Sequence, residues 1–324
     1  MLALLTGPVV RLVISASLLI GVLALADLEA VWQQFLSVHN DADDSVSLGW
    51  IILALAASLP QYLLSARRWQ VTAFQLGLEL SYAKAVSAYY KATFFNQVLP
   101  GGVLGDVSRA LEHGRQGTMA QRFTAWRAVA IERLAGQLVL VLAVVLTLPF
   151  VSSVAGTPEA SITSLSNWST TLTVGALTLP LAAYMICRNM AFVSRLRVGL
   201  HAFAVDIARA WLVPALLARQ LLLSLGVLAS YVMSYFALAH AFGFSGDLWW
   251  LCSVILLVLL SMSLPLSVAG WGVREMSAAG LWLAGGQDAA AGLAIAVAYG
   301  LLNLACSLPG LWFMLRERSS VSAG

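Results

Sequence analysis

Asn96-Gln97-Val98-Leu99-Pro100-Gly101-Gly102-Val103-Leu104-Gly105-Asp106-Val107-Ser108-Arg109 interrupts a chain that is otherwise mostly apolar. Proline removes a backbone donor, and two adjacent glycines supply no helical stiffness. An acid, an amide and a guanidinium lie within a few residues of the break. A membrane protein tolerates such a loop only where other protein, or a water-filled cavity, covers the freed backbone groups.

The composition places the loop in that setting. Apolar residues make up 60% of the chain and charged residues 10%; a soluble domain is nearer 25% charged. Mean hydropathy is +0.86. Several apolar runs approach or exceed the ~20 residues that cross a bilayer. These features predict an all-α polytopic membrane protein, embedded throughout as one domain over residues 1–324. A net charge of +3 alone implies no nucleic-acid partner. Cys187, Cys252 and Cys306 lie in apolar segments without metal-ligand spacing and read as packing residues. No cofactor or metal is implied.

Six full spans and two interruptions are expected. Pro8 to Ala26 is the first span, followed by an acidic loop to residue 47 with Asp27, Glu29, Asp41, Asp43 and Asp44. Ala24-Leu25-Ala26 resembles a signal-peptidase site, but the early positive charge is missing, so a retained helix is expected. Asp41-Ala42-Asp43 has the form of a DxD motif and reads as a solvated loop. A first repeat spans 48–150. Its opening span, Leu48 to Ala66, is expected to stop at Arg67-Arg68-Trp69, a basic and aromatic boundary. Ala85 to Leu99 follows and reaches only about 22 Å, against a hydrocarbon core of about 30 Å. It reads as one arm of a re-entrant hairpin whose return arm surfaces at Glu112-His113-Gly114-Arg115, with His113 solvated. Glu132 and Arg133 fall inside the next span. They either pair or snorkel at the interface, or line a cavity.

Residues 151–209 hold a fourth span, Thr170 to Cys187, and a basic connection. A second repeat covers 210–318. Its first span is Gln220 to His240, after a break at Pro214. Leu248 to Leu264 then breaks at Pro265 and leads into Gly270-Trp271-Gly272-Val273-Arg274-Glu275. The last span, Ala289 to Leu315, ends at Arg316-Glu317-Arg318.

The two interruptions are copies in outline. Leu99-Pro100 aligns with Leu264-Pro265, Gly105 with Gly270, and Arg109 with Arg274, all at an offset of 165 residues. Leu-Pro occurs six times, but the other four lack the following Gly and Arg. The carboxylates differ: Asp106 follows the glycine, whereas Glu275 follows the arginine. With both termini cytoplasmic, nearly every Lys and Arg falls inside, and Arg274 is the exception. The first hairpin then enters from the cytoplasm and the second from the far side, an inverted-topology repeat of span, re-entrant hairpin and span. Full crossings in place of hairpins would leave the parity of later loops unchanged; arm length favours hairpins.

Each hairpin presents a broken helix, free N–H groups and an arginine near a glycine. Helix N-termini attract anions, and Arg adds donors suited to phosphate. Candidate substrate-binding residues are therefore Asn96, Pro100, Gly101, Gly102, Gly105, Asp106 and Arg109 in the first hairpin. Pro265, Gly270, Gly272, Arg274 and Glu275 are their counterparts in the second, with Glu132 and Arg133 as possible cavity-lining groups. The alternative is that Arg109 pairs with Asp106, and Arg274 with Glu275, only to pin the hairpins. His39, His113, His201 and His240 are scattered, with no acidic pair among them, so no catalytic constellation is expected.

Arg68-Trp69, Phe94-Phe95-Asn96, Leu99-Pro100-Gly101, Gly105-Asp106, Arg109 and Glu132-Arg133 resemble the lysylphosphatidylglycerol synthase transmembrane region, also called flippase-like. Pro265, Gly270, Gly272, Arg274 and Glu275 resemble its second signature. The resemblance covers about residues 48 to 315. The Gly101–Leu104 stretch is one residue longer than the commoner family spacing. The resemblance implies movement of lipids between leaflets: aminoacylated phosphatidylglycerol, polyprenyl-linked sugars or hopanoid-type lipids. With Gly324 as the last residue, it does not extend to aminoacyl transfer. The expectation is a flippase-like transporter of a phosphate-bearing, anionic membrane lipid in the bacterial inner membrane. A lipid-modifying transferase and a non-catalytic partner of a lipid-synthesis complex are the alternatives.

Overall fold

A computed structural model describes residues 44–98, 104–114, 118–152, 190–211, 213–263 and 269–322, with Glu29 and Trp32. The expected first and fourth spans, the acidic loop through Asp43 apart from Glu29 and Trp32, and Arg115 lie outside the described residues. So do Pro100, Gly101, Gly102 and Pro265.

The described residues form helices throughout. In chain order these are α1 (Asp44–Gln75), α2 (Tyr82–Val98), α3 (Leu104–Gly114), α4 (Met119–Ser152) and α5 (Met190–Trp211). Then come α6 (Pro214–Ala241), α7 (Leu248–Ser263), α8 (Val273–Ala284), α9 (Ala289–Ser307) and α10 (Pro309–Ser322). Four stretches are long and apolar enough to cross a membrane: Ser47–Gln75, Met119–Leu148, Pro214–Ala241 and Ala289–Glu317. The protein is an integral membrane protein. Leu138, Val141, Leu142, Val145 and Leu146 of α4 and Leu221, Leu222 and Leu225 of α6 are exposed, as a lipid-facing surface requires.

The element order runs twice: long helix, two short helices, long helix. The short helices have 17 and 11 residues in the first set and 16 and 12 in the second. At 1.5 Å per residue none exceeds about 26 Å. The first short pair packs on α4 and also on α10; the second packs on α9 and also on α4. Each pair therefore touches the closing helix of both sets.

Helices α1 and α6, which open the two sets, lie antiparallel along most of their length. Trp50 stacks on His240 with ring centroids 4.9 Å apart. Further along, the Gln61 N–H donates to Ser230 Oγ (3.1 Å), Arg68 Nη1 to Ser224 Oγ (3.0 Å) and Gln220 Nε2 to Thr72 Oγ1 (2.9 Å). One sequence rises as the other falls. The seam is polar because Ser58, Gln61, Ser65, Arg68 and Thr72 recur at three- and four-residue spacing on one face of α1, all buried. Without water, buried polar groups must find partners across the helix pair. The apolar core lies beside this seam, around Tyr62, Leu251, Ile255, Trp282 and Tyr299.

One expectation needs correction here. The opening span does not stop at Arg67-Arg68-Trp69. Helix α1 continues to Gln75, with Arg68 only 4% and Trp69 only 1% exposed. Arg68 stays inside because a carboxylate and a hydroxyl meet it there. The break at Pro214 is observed: α5 ends at Trp211 and Pro214 starts α6, where its missing N–H costs no helical bond.

Candidate functional site: two buried arginine clusters

The first cluster assembles where α3 begins. Gly105 lies so close to α2 that a Cβ built there would sit 1.8 Å from the Ala92 carbonyl oxygen. Only glycine permits this approach. Asn96, near the end of α2, accepts a hydrogen bond from the Gly105 N–H at 2.8 Å. It thereby satisfies one of the donors left open at a helix start. Asn96 is thus tied up in holding the two arms together. Asp106 and Arg109, three residues apart, share one face of α3.

Arg109 is enclosed. Its Nε donates to Asp106 Oδ1 (3.0 Å), and its Nη2 donates to Glu132 Oε2 (2.6 Å). The guanidinium lies 4.9 Å from the Trp69 ring centroid and 4.6 Å from that of Tyr89. Glu132, fully buried on α4, also accepts from Arg68 Nε (3.1 Å) and Nη2 (2.5 Å). Gly136, one turn along α4, leaves room for the Arg68 guanidinium, which a Cβ there would approach to 3.0 Å. Arg133 pairs with Asp106 Oδ2. So α1, α3 and α4 meet at three guanidiniums and two carboxylates, with one positive charge in excess.

Beside it, buried Lys91 of α2 donates to both oxygens of Glu112 on α3 and of Glu317 on α10, at 2.8–2.9 Å. His113 is half-buried edge-on against Trp69, ring centroids 5.7 Å apart, rather than solvated as expected.

The second cluster is simpler. Positive φ values at Gly270 (80°) and Gly272 (83°) turn the chain into α8. Glu275 Oε2 reaches back to accept from the Gly272 N–H (2.6 Å). Its Oε1 accepts from Arg274 Nε (2.9 Å) and Nη2. Both side chains are fully buried. The Arg274 guanidinium stacks over Trp271, 4.5 Å from the ring centroid. Gly300 of α9 accommodates it, since a Cβ there would fall 2.1 Å from Arg274 Nη2.

The arginines and carboxylates expected in the site are therefore grouped as two ion-paired clusters. In both, one guanidinium nitrogen, Nη1, is buried without a partner among the described residues. The hydroxyls of Tyr235 and Tyr299 are likewise buried and unpartnered. Their rings lie 4.9 Å apart. For Glu132 and Arg133, pairing is what the structure shows. Sequence reasoning missed Arg68, Ser224, Lys91 and the tyrosines. The three- and four-residue spacing of Ser58, Gln61, Ser65, Arg68 and Thr72 was the signal for a buried polar face.

Apolar spans with buried charges at paired short helices define a class: a polytopic helical membrane protein with buried ion clusters. Such charges are expensive in a bilayer and are functional-site candidates for that reason. Residues 9–310 match the family model described as lysylphosphatidylglycerol synthase TM region, and the chain belongs to that family. The match ties the chain to a membrane-lipid-related function. No curated protein and no solved structure matches it.

Proposed function

We propose that this protein is a flippase-like transporter that moves a phosphate-bearing lipid between bilayer leaflets. The observation that carries this reading is the repeated buried arginine. Arg109 and Arg274 each sit in the first turns of a short helix, each with an unpartnered Nη1 among the described residues. Donors held without an acceptor in low dielectric favour an incoming anion. The twofold element order and the antiparallel α1–α6 pair support an inverted repeat, with the short pairs re-entering from opposite faces. Family membership supports a lipid as cargo. On this reading both termini are cytoplasmic, the membrane is the bacterial inner membrane, and the protein transports rather than catalyses.

The test is leaflet exchange in liposomes containing the purified chain, with fluorescent phosphatidylglycerol and fluorescent diacylglycerol as cargo. Faster exchange of the phosphate-bearing lipid than in protein-free vesicles is expected. No acceleration for any lipid refutes transport. Bond cleavage of the lipid in detergent would mark a transferase instead, and neither activity a non-catalytic partner.

A further inference from the structure

The first cluster has one accessible cation, and it is not Arg109. The side chains of Arg68 and Arg109 are 5% and 0% exposed, whereas that of Arg133 is 44% exposed. Arg133 is therefore the member of the cluster that can be reached from outside while it is paired to Asp106.

Asp106 is built to let Arg133 go. Its Oδ1 is held by Arg109, and its Oδ2 takes Arg133. The Asn96 amide nitrogen waits 3.5 Å from the same Oδ2. An anion that takes over Arg133 therefore leaves Asp106 with Arg109 and Asn96 as partners. No buried carboxylate is stranded, which is the outcome that makes breaking a buried pair costly.

Charge sets the size of what fits. Arg68, Arg109 and Arg133 exceed Asp106 and Glu132 by one positive charge. One negative charge neutralises these five groups, and the neighbouring Lys91–Glu112–Glu317 group, itself one charge negative, disfavours a second. The second cluster offers no equivalent. Arg274 and Glu275 cancel, and both side chains are 0% exposed. The stretches 248–273 and 289–315 contain no Asp, Glu, Lys or Arg.

We propose that Arg133 is the residue that docks the cargo, that the cargo displaces Arg133 from Asp106 Oδ2, and that the docking site accepts a single negative charge, as on a phosphodiester head group. This rests on the transport reading for the identity of the cargo as a lipid. It adds to the buried Arg109 and Arg274, whose side chains are 0% exposed, the accessible cation at which the cargo first docks.

The test uses the full chain, with phosphatidylglycerol (one charge), a polyprenyl diphosphate (more than one) and diacylglycerol (none) as probes. Lipid retention is read by native mass spectrometry, and leaflet exchange is read in liposomes. Folding is checked by thermal unfolding of each variant. Arg133→Gln is expected to stay folded and to lose about ten- to a hundredfold in phosphatidylglycerol retention, the value of a charge-assisted contact. Arg133→Lys is expected to recover most of it, because the charge remains. Folded Arg133→Gln that retains phosphatidylglycerol as the parent does overturns the docking role. Diphosphate lipid held as tightly as phosphatidylglycerol overturns the single-charge rule. Retention that depends on Arg133, with no leaflet exchange of any probe, supports the docking site and refutes transport.

Discussion

Replacing Glu132 by Gln tests whether one carboxylate holds three helices together. Glu132 accepts from Arg68 of α1 at 2.5 and 3.1 Å and from Arg109 of α3 at 2.6 Å, and its side chain is 0% exposed. The amide keeps the shape and one acceptor oxygen. It also turns an NH2 group toward a guanidinium and removes the charge that both arginines face. Arg109 keeps Asp106, but Arg68 is left with Ser224 alone. Removing one partner of a buried ion pair costs about 3–5 kcal/mol. The upper part of that range is expected, because two cations lose the same partner. The comparison variant is Arg127→Gln. Arg127 pairs with Asp206 of α5, and its side chain is 29% exposed. The Asp206 side chain is only 8% exposed, so the loss falls between the about 0–1 kcal/mol of an exposed pair and the about 3–5 kcal/mol of a buried one.

Equilibrium unfolding in mixed detergent micelles would measure the three proteins side by side. Glu132→Gln should lose more stability than Arg127→Gln, because it strands two cations at a site that is fully buried. The double variant Arg68→Gln/Glu132→Gln should recover part of the loss, because the second change removes a stranded charge. A Glu132→Gln protein within about 1 kcal/mol of the parent, the range of an exposed pair, would refute the role of Glu132 as the hub. So would a double variant whose losses simply add.

Gly105→Ala should drive α2 and α3 apart, since its Cβ would meet the Ala92 carbonyl oxygen at 1.8 Å; the expected loss is at least about 1–3 kcal/mol, read in the same unfolding assay. Gly300→Ala should disturb the second cluster by crowding Arg274 Nη2, and reduced leaflet exchange in a folded variant is the expected readout. A Ser58→Cys protein should cross-link to native Cys306 under oxidation, because Ser58 Oγ lies 2.9 Å from Cys306 Sγ; no cross-link in a folded protein would reject the contact between α1 and α9. Single cysteines at Gly102 and Ser267 should react with impermeant reagents from opposite sides, and free labelling of both at one surface would reject opposed re-entrant pairs.

Much of the helix order was legible because proline and glycine punctuate an apolar chain. Pro214 marks the start of α6, and the positive φ values at Gly270 and Gly272 lie where the second interruption was expected. The pairings of Arg109 with Asp106 and of Arg274 with Glu275 were legible too, because their spacing of three and one brings the groups together locally. Arg68 was misread because a basic residue beside Trp69, at the end of an apolar run, has the composition of a membrane boundary. What keeps it inside is Glu132, 64 positions away. Lys91 depends likewise on Glu317, 226 positions away. No local pattern encodes a partner at that distance.

The same limit explains how a repeated fold can carry unequal sites. Helix order is set by breaks and apolar length, and these recur at a nearly constant offset. Charge is set residue by residue, and it does not recur. The first set of helices buries Arg68, Lys91, Asp106, Arg109 and Glu132; the second buries Arg274 and Glu275; Asp206 lies on α5 between them. The joint between α2 and α10 sets the Lys91–Glu317 pair beside packing of Tyr90 on Phe313, ring centroids 6.2 Å apart, whereas Ser253 of α7 meets α4 through a single bond to the Thr147 carbonyl, 3.1 Å long, within an apolar contact that includes Leu140 and Val144. An ion pair with carboxylates 53% and 57% exposed can exchange partners with water as a joint opens. An apolar joint must expose hydrocarbon to do so, at roughly 25 cal/mol per Å² where it meets water. If the protein alternates between two open states, the α2–α10 joint therefore holds the more readily exchanged contacts. It lies beside the cluster that carries the accessible Arg133.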